Sequence, residues 1–214
     1  MKYLFTLLAS LFLTSTFYAQ SDAQSQKILD ELSSEIKALN SFSISFNMHV
    51  KNTTTGEDSN QKGKGYVQGD KYNATLGENE IISNGIKVWT VVKEEKVVYQ
   101  SDADEDEDES INPKKLMTIW EDGFKNKYVK EDKFKGTPVH VINLFPTNPG
   151  EVQYHTISLH ISKSNNELKQ AIMKTKDGSI ITYTIDDFSK NPEISKSKFV
   201  YDSRKNPDYQ LIRD

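Results

Sequence analysis

The sequence predicts a mainly β protein with a few helices, built on one antiparallel sheet of about ten strands. Two observations carry this reading. Most of the chain alternates apolar and polar residues over short segments, and tight-turn dipeptides separate those segments. Only two stretches show helical period. So many strands in one small domain must curl or close, because a flat sheet would leave long exposed edges.

The first helical stretch runs from Asp22 to Leu39, where Ile28, Leu29, Leu32, Ile36 and Leu39 form one stripe. Residues 41–50 then change period. Phe42, Ile44, Phe46, Met48 and Val50 point one way, with serines, Asn47 and His49 between them. That is a half-buried strand. Lys51 to Gln61 reads as a polar loop. Gly65–Gln68 and Lys71–Leu76 flank Gly69-Asp70, and Glu80–Ser83 and Ile86–Val92 flank Asn84-Gly85. The latter is a type I′ hairpin signal, with positive φ expected at both central residues. Val97–Gln100 follows.

The middle of the chain breaks the β pattern. Asp102 to Glu109 holds seven acids in eight residues, read as a solvated loop because an EF-type glycine and terminal glutamate are missing. Asn112-Pro113 opens a short helix to Asp122, stopped by Gly123 and bearing Leu116, Met117, Ile119 and Trp120. Strands resume at Val139–Phe145, Thr156–Ser162, Leu168–Thr175 and Ser179–Ile185. A last strand is expected over Lys198–Tyr201, before Tyr209-Gln210-Leu211-Ile212.

Residues 1–19 read as a secretory signal peptide: Lys2, an apolar run from Leu4 to Leu13, then a polar break. Cleavage is expected after Ala19 or as late as Ala23. Residues 20–214 form one domain. The apolar run is shorter than the roughly 20 residues a bilayer span needs. The whole chain carries a net charge of −4, one more negative without Lys2. That balance argues against nucleic acid or an anionic membrane as partner. The absence of cysteine excludes disulfides, a thiol nucleophile and a lipidated cysteine anchor.

Catalytic signals are poor. His49, His140, His155 and His160 include no close metal-ligating pair. Phosphate-binding glycine motifs and a nucleophile elbow are missing, so no cofactor, metal or enzymatic activity is expected. Apolar residues appear instead on both faces of Ile86–Val92, with Trp89 and Val91 opposite Val88. A second greasy face needs a covering helix or an apolar ligand.

Three stretches carry a family resemblance. One is the helix ending at Leu39 with Phe42, Ile44 and Phe46 after it. Another is Gly65-Tyr66-Val67, Lys71-Tyr72 and Ile81 through Trp89. The last is Phe199-Val200-Tyr201, Pro207 and Tyr209 through Ile212. In this order they resemble the outer-membrane lipoprotein carrier (LolA-like) family over nearly the whole mature chain. The resemblance implies an unclosed antiparallel β-barrel of ten to eleven strands with a helical lid. It implies a monomeric periplasmic carrier of acylated lipoproteins, loaded by an inner-membrane ABC-type releasing complex and unloaded by an outer-membrane receptor. The family often carries Arg-Pro where Gly69-Asp70 stands here, so its arginine latch is not carried over. The expected acyl-chain site is Phe46, Met48, Tyr72 and Trp89, capped by Leu116 and Trp120. The rival readings are a carrier of another amphiphile and a β domain with a solid core and no ligand.

Overall fold

The alternation that opens at Ser41 becomes a strand, β1, over Ser41–Asn52, entered from helix α1, Thr16–Lys37. The computed structural model describes residues 16–103 and 117–213, with side chains from Ala23 onward. The remaining strands are β2 Glu57–Gln68, β3 Lys71–Leu76, β4 Asn79–Ser83, β5 Lys87–Val92 and β6 Val97–Asp102. They continue as β7 Phe124–Phe134, β8 Thr137–Pro146, β9 Tyr154–Ser162, β10 Leu168–Thr175, β11 Ser179–Lys190 and β12 Gln210–Arg213. All twelve lie in one sheet, in the order β12-β6-β5-β4-β3-β2-β1-β11-β10-β9-β8-β7. The sheet does not close, since β7 and β12 are its outer strands. Every pairing is antiparallel except β12 with β6, which is parallel.

The expected and observed elements differ at five places. The short helix expected to end at Asp122 is, over its described residues, a turn at Met117 and Thr118 followed by the 3₁₀ segment Ile119–Glu121. Of the loop expected over Lys51–Gln61, residues 57–61 are strand, because β2 pairs with β1 along its whole length, from Asn52 opposite Glu57 to Ser41 opposite Gln68. Asn52 holds that turn: its Oδ1 accepts from the amides of Thr54 and Thr55 at 2.8 and 3.1 Å. The charged strand β7 carries too few apolar residues to show alternation, as suits an edge strand that must not pair with another chain. Lys196–Phe199 is a 3₁₀ turn rather than a strand. The β4–β5 turn centres on Gly85 and Ile86. Asn84 N–H donates to Lys87 O at 3.2 Å and only Gly85 has positive φ, +85°. The amides of Ile86 and Lys87 donate to Asn84 Oδ1 at 2.9 and 2.8 Å, so the asparagine side chain, rather than a second positive φ, closes the turn.

The main core fills the concave face. Ile28, Leu29, Leu32 and Ile36 of α1 pack with Phe42, Ile44, Val67 and Tyr72 and with Ile142, Leu144, Ile157, Leu159 and Ile161. One helical stripe and several strand faces therefore meet. α1 is tied across the far end of the sheet at β7. Ser25 Oγ donates to Asn126 Oδ1 at 2.6 Å, and Asn126 Nδ2 donates to Gln26 Oε1 at 2.6 Å.

The convex face has a smaller core. Residues directly opposite in an antiparallel pair share a face. Trp89 lies opposite Ile82, and Val91 opposite Val98. The 3₁₀ turn Lys196–Phe199 covers this side, packing on β3 and β4 and burying Phe199. Asn73 Nδ2 donates to Lys198 O at 3.0 Å, and Lys198 Nζ sits 4.7 Å over the Tyr66 ring. The C-terminal segment thus covers the convex face of β3 and β4, beside the second greasy face of β5.

Candidate functional site

The concave face is filled at one end and hollow beside it. The filled end is the row Phe42, Val67, Tyr72, Ser83 and Val88, all buried. The next row along the strands is Ile44, Gly65, Ala74 and Ile81. Glycine and alanine leave space there that the valine and tyrosine of the first row occupy. Ala171 of β10 does the same from the other flank. The result is a cavity of about 220 Å³. A single water needs only about 10–15 Å³ on the same measure.

Its walls are apolar. They comprise Ile44 and Phe46 from β1, Gly65 from β2, Ala74 and Leu76 from β3 and Ile81 from β4. Ile157 and Leu159 from β9, Leu168, Ala171 and Met173 from β10, and Tyr183 and Ile185 from β11 complete them. Ile185 and Phe188 both reach the concave side because β11 bulges between them: Ile44 pairs with Phe188 but Phe46 with Ile185. Lys64 and Thr75 border it from outward-facing positions of β2 and β3, and Asn79 of β4 is on the inner face. So apolar a hollow suits a ligand with a long hydrocarbon part.

Met117, Ile119 and Trp120 roof the cavity. Ile119–Glu121 is a 3₁₀ turn, ended by Gly123 at φ +77°. Polar contacts from Ser33 and Lys37 pin this roof to α1. Trp120 Nε1 donates to Ser33 Oγ at 2.8 Å in a buried setting. Lys37 Nζ meets Glu121 Oε2 at 2.7 Å. Burial alone would raise the Glu121 carboxyl. Hydrogen bonds from Lys37 and Ser33, with the Lys37 charge, more than offset it and hold the group below the usual glutamate range. The turn at Gly69, φ +59°, is a plain hairpin connection.

The expected site residues separate. Phe46 and Trp120 line the cavity. Tyr72 is buried in the filled row beside it. Met48 is half-buried further along the concave face, opposite Tyr183. Trp89 stands on the convex face, its Nε1 donating to Gln100 Oε1 at 3.2 Å, and does not reach the cavity. Leu116 and most of the acidic run lie outside the described residues. Sequence reasoning missed Gly65, Ala74 and Ala171, whose small size makes the hollow. The signal was present: counted through the hairpins, odd-numbered residues face inward on β2 and even-numbered ones on β3 and β5. That parity puts Gly63 and Gly65 inside and Trp89 outside.

The histidines do not converge. His49 bonds Asp58 at 2.8 Å, and His140 Nδ1 lies 3.0 Å from the Tyr128 hydroxyl. Burial lowers the pKa of His140 and of His160. No group of three metal-ligating side chains occurs among the described residues, and none of their helices is long and apolar enough to cross a membrane.

The family model for the outer membrane lipoprotein carrier protein LolA matches residues 37–202. The chain belongs to the LolA family. No curated protein matches the sequence. Among solved structures, an uncharacterized conserved protein from Thermus thermophilus has a TM-score of 0.60 at 9% identity, over 89% of this chain and 99% of that one. A DUF1329 family protein from Desulfovibrio piger gives 0.50 at 10% identity, over 85% and 98%. A LolA superfamily protein from Nitrosomonas europaea gives 0.43 at 12% identity, over 82% and 97%. The first two show a shared fold. The family is one of carrier-type, lipoprotein-binding proteins. The unclosed sheet expected of a LolA-like chain is observed, with twelve strands where ten to eleven were expected.

Proposed function

We propose that this LolA-family protein is an exported carrier that shields the acyl chains of lipoproteins while they cross an aqueous compartment between two membranes. The observation that carries the reading is the apolar cavity under Trp120, built from residues too small to fill it. Burying hydrocarbon is worth about 0.8 kcal/mol per CH₂, so exposing a sixteen-carbon chain costs roughly 12 kcal/mol. A carrier must offset much of that and still release its cargo. The roof's polar ties, through Ser33 and the more exposed Lys37, are individually weak, so lifting it chiefly means exchanging the packing of Met117 and Trp120 for contact with the cargo.

In this reading the carrier is loaded at an inner-membrane lipoprotein-releasing complex and unloaded at an outer-membrane receptor that holds the chains more tightly. The direction of transfer then comes from the difference in affinity, and the carrier itself needs no nucleotide. Phe46 and Trp120 contact the chains, and Met48 lies on the path out. The test is release from membranes. Purified protein added to spheroplasts should bring acylated lipoprotein into the soluble fraction, and variants with a filled cavity should not. Equal release by wild type and filled variants would refute the reading. Uptake of free lipid without any release of lipoprotein would favour a carrier of another amphiphile.

A further inference from the structure

The concave face does not end where the roofed cavity ends. The next row along the strands is Phe46, Gly63, Leu76 and Asn79. Beyond it, Met48, Val50 and Ile181 are half-buried and apolar on the same face. Met48, Val50 and Ile181 are not cavity walls, whereas Phe46 and Tyr183 are. On β1 and β11, Phe46 and Tyr183, with ring centroids 6.0 Å apart, therefore stand at the boundary between the covered hollow and a shelf of Met48, Val50 and Ile181 flanked by Gln61 and Ser59, while on β10 the hollow runs on to Met173.

The Phe46 ring has a fixed seat. It lies flat over Gly63, so closely that a Cβ at that position would come within 2.6 Å of ring carbon Cε1. Real Cβ atoms essentially never approach so near, so any larger residue at 63 must push the ring off the sheet. Gly63 has no positive φ that would call for glycine on backbone grounds. Its hydrogen is there to admit the ring. Strand glycines mark such close approaches.

We propose that Phe46, seated on Gly63, is a length gate: it sets how much of a hydrocarbon chain the roofed cavity takes before the chain must turn onto the Met48 shelf. This deepens the carrier reading and rests on it. While each added methylene enters the cavity, affinity climbs about fourfold, the equivalent of burying one CH₂. Once the chain meets the ring, further carbons gain little.

The test is a ladder of straight-chain fatty acids, from about eight to about eighteen carbons, displacing an environment-sensitive anilinonaphthalene dye from the full mature chain. Wild type should show the fourfold climb and then a plateau. Phe46→Ala and Phe46→Leu should move the plateau to longer chains. Gly63→Ala, by lifting the ring into the hollow, should move it to shorter ones. Circular dichroism and melting temperature establish that each variant is folded. A plateau at the same length in all three folded variants would overturn the gate and leave the carrier reading intact. Failure of wild type to bind any member of the ladder would overturn both.

Discussion

Removing the hydroxyl of Ser33 should loosen the roof without touching the cavity wall. Ser33 Oγ accepts from Trp120 Nε1 at 2.8 Å, Ser33 is itself buried, and Trp120 is only 4% exposed. Ser33→Ala leaves a buried indole N–H without its partner, at a cost of about 1–3 kcal/mol. Charged to the closed roof, that raises the open fraction about five- to 150-fold. The chain has two tryptophans, so Trp89→Phe makes Trp120 the sole reporter. Trp89 stands on the convex face, and an aromatic ring there keeps its packing against Ile82. In that background, Ser33→Ala should make Trp120 markedly more open to acrylamide quenching and should speed acyl-probe uptake. Ser33→Thr, which keeps a hydroxyl, should stay near wild type. Because opening is local, the melting temperature should shift by less than the full cost implies. Unchanged quenching and unchanged uptake in Ser33→Ala would refute the reasoning that this bond holds the roof.

Filling the hollow should separate binding from stability. Ala74→Leu and Ala171→Leu place larger side chains in empty space, so acyl-probe affinity should fall about tenfold or more while stability holds or rises by about 0.5–2 kcal/mol. Trp120→Asp should abolish probe binding, whereas Trp89→Asp on the opposite face should leave affinity unchanged in the folded protein, as read by dye displacement. Phe199→Ala should destabilise by about 3–5 kcal/mol in chemical denaturation, because Phe199 is 2% exposed, with no change in acyl affinity. Acid should act in two stages. His140 and His160 have folded-state pKa values below the unfolded one, so the stability they contribute is complete above the unfolded value, near 6.5, and is lost as pH falls below it. Glu121 is also depressed, so its share of the roof contact persists to lower pH and is lost through and below the ordinary glutamate range. Glu121→Gln should erase the second stage of Trp120 quenching alone.

The sheet was legible because its code is local. Alternation gave β1, and Gly69-Asp70 and the Asn84-Gly85 region marked turns that the chain does make. The α1 stripe was legible for the same reason: of its five expected residues, Ile28, Leu29, Leu32 and Ile36 are buried, and Leu39, past the end of the helix, is half-buried. Less legible were segments whose state depends on a neighbour. The polar start of β2 is a strand only because β1 reaches past it, and β7 hides its strand under lysines that protect an edge. The cavity was the hardest part to see. Apolar residues announce a core, but a hollow is made by the residues that fail to fill it, and Gly65 and Ala74 draw no attention in a pattern of large side chains. Trp89 shows the converse. Size and hydrophobicity suggested a ligand contact, yet face parity through three hairpins places it under the C-terminal segment's side of the sheet.

Native mass spectrometry of the protein drawn from its own compartment tests the shielding of acyl chains most directly. Wild type should carry the added mass of an acylated protein or lipid, and Ala74→Leu/Ala171→Leu should fly bare. A wild-type spectrum showing only the polypeptide mass, with no uptake when acylated protein or lipid is supplied, would contradict the account.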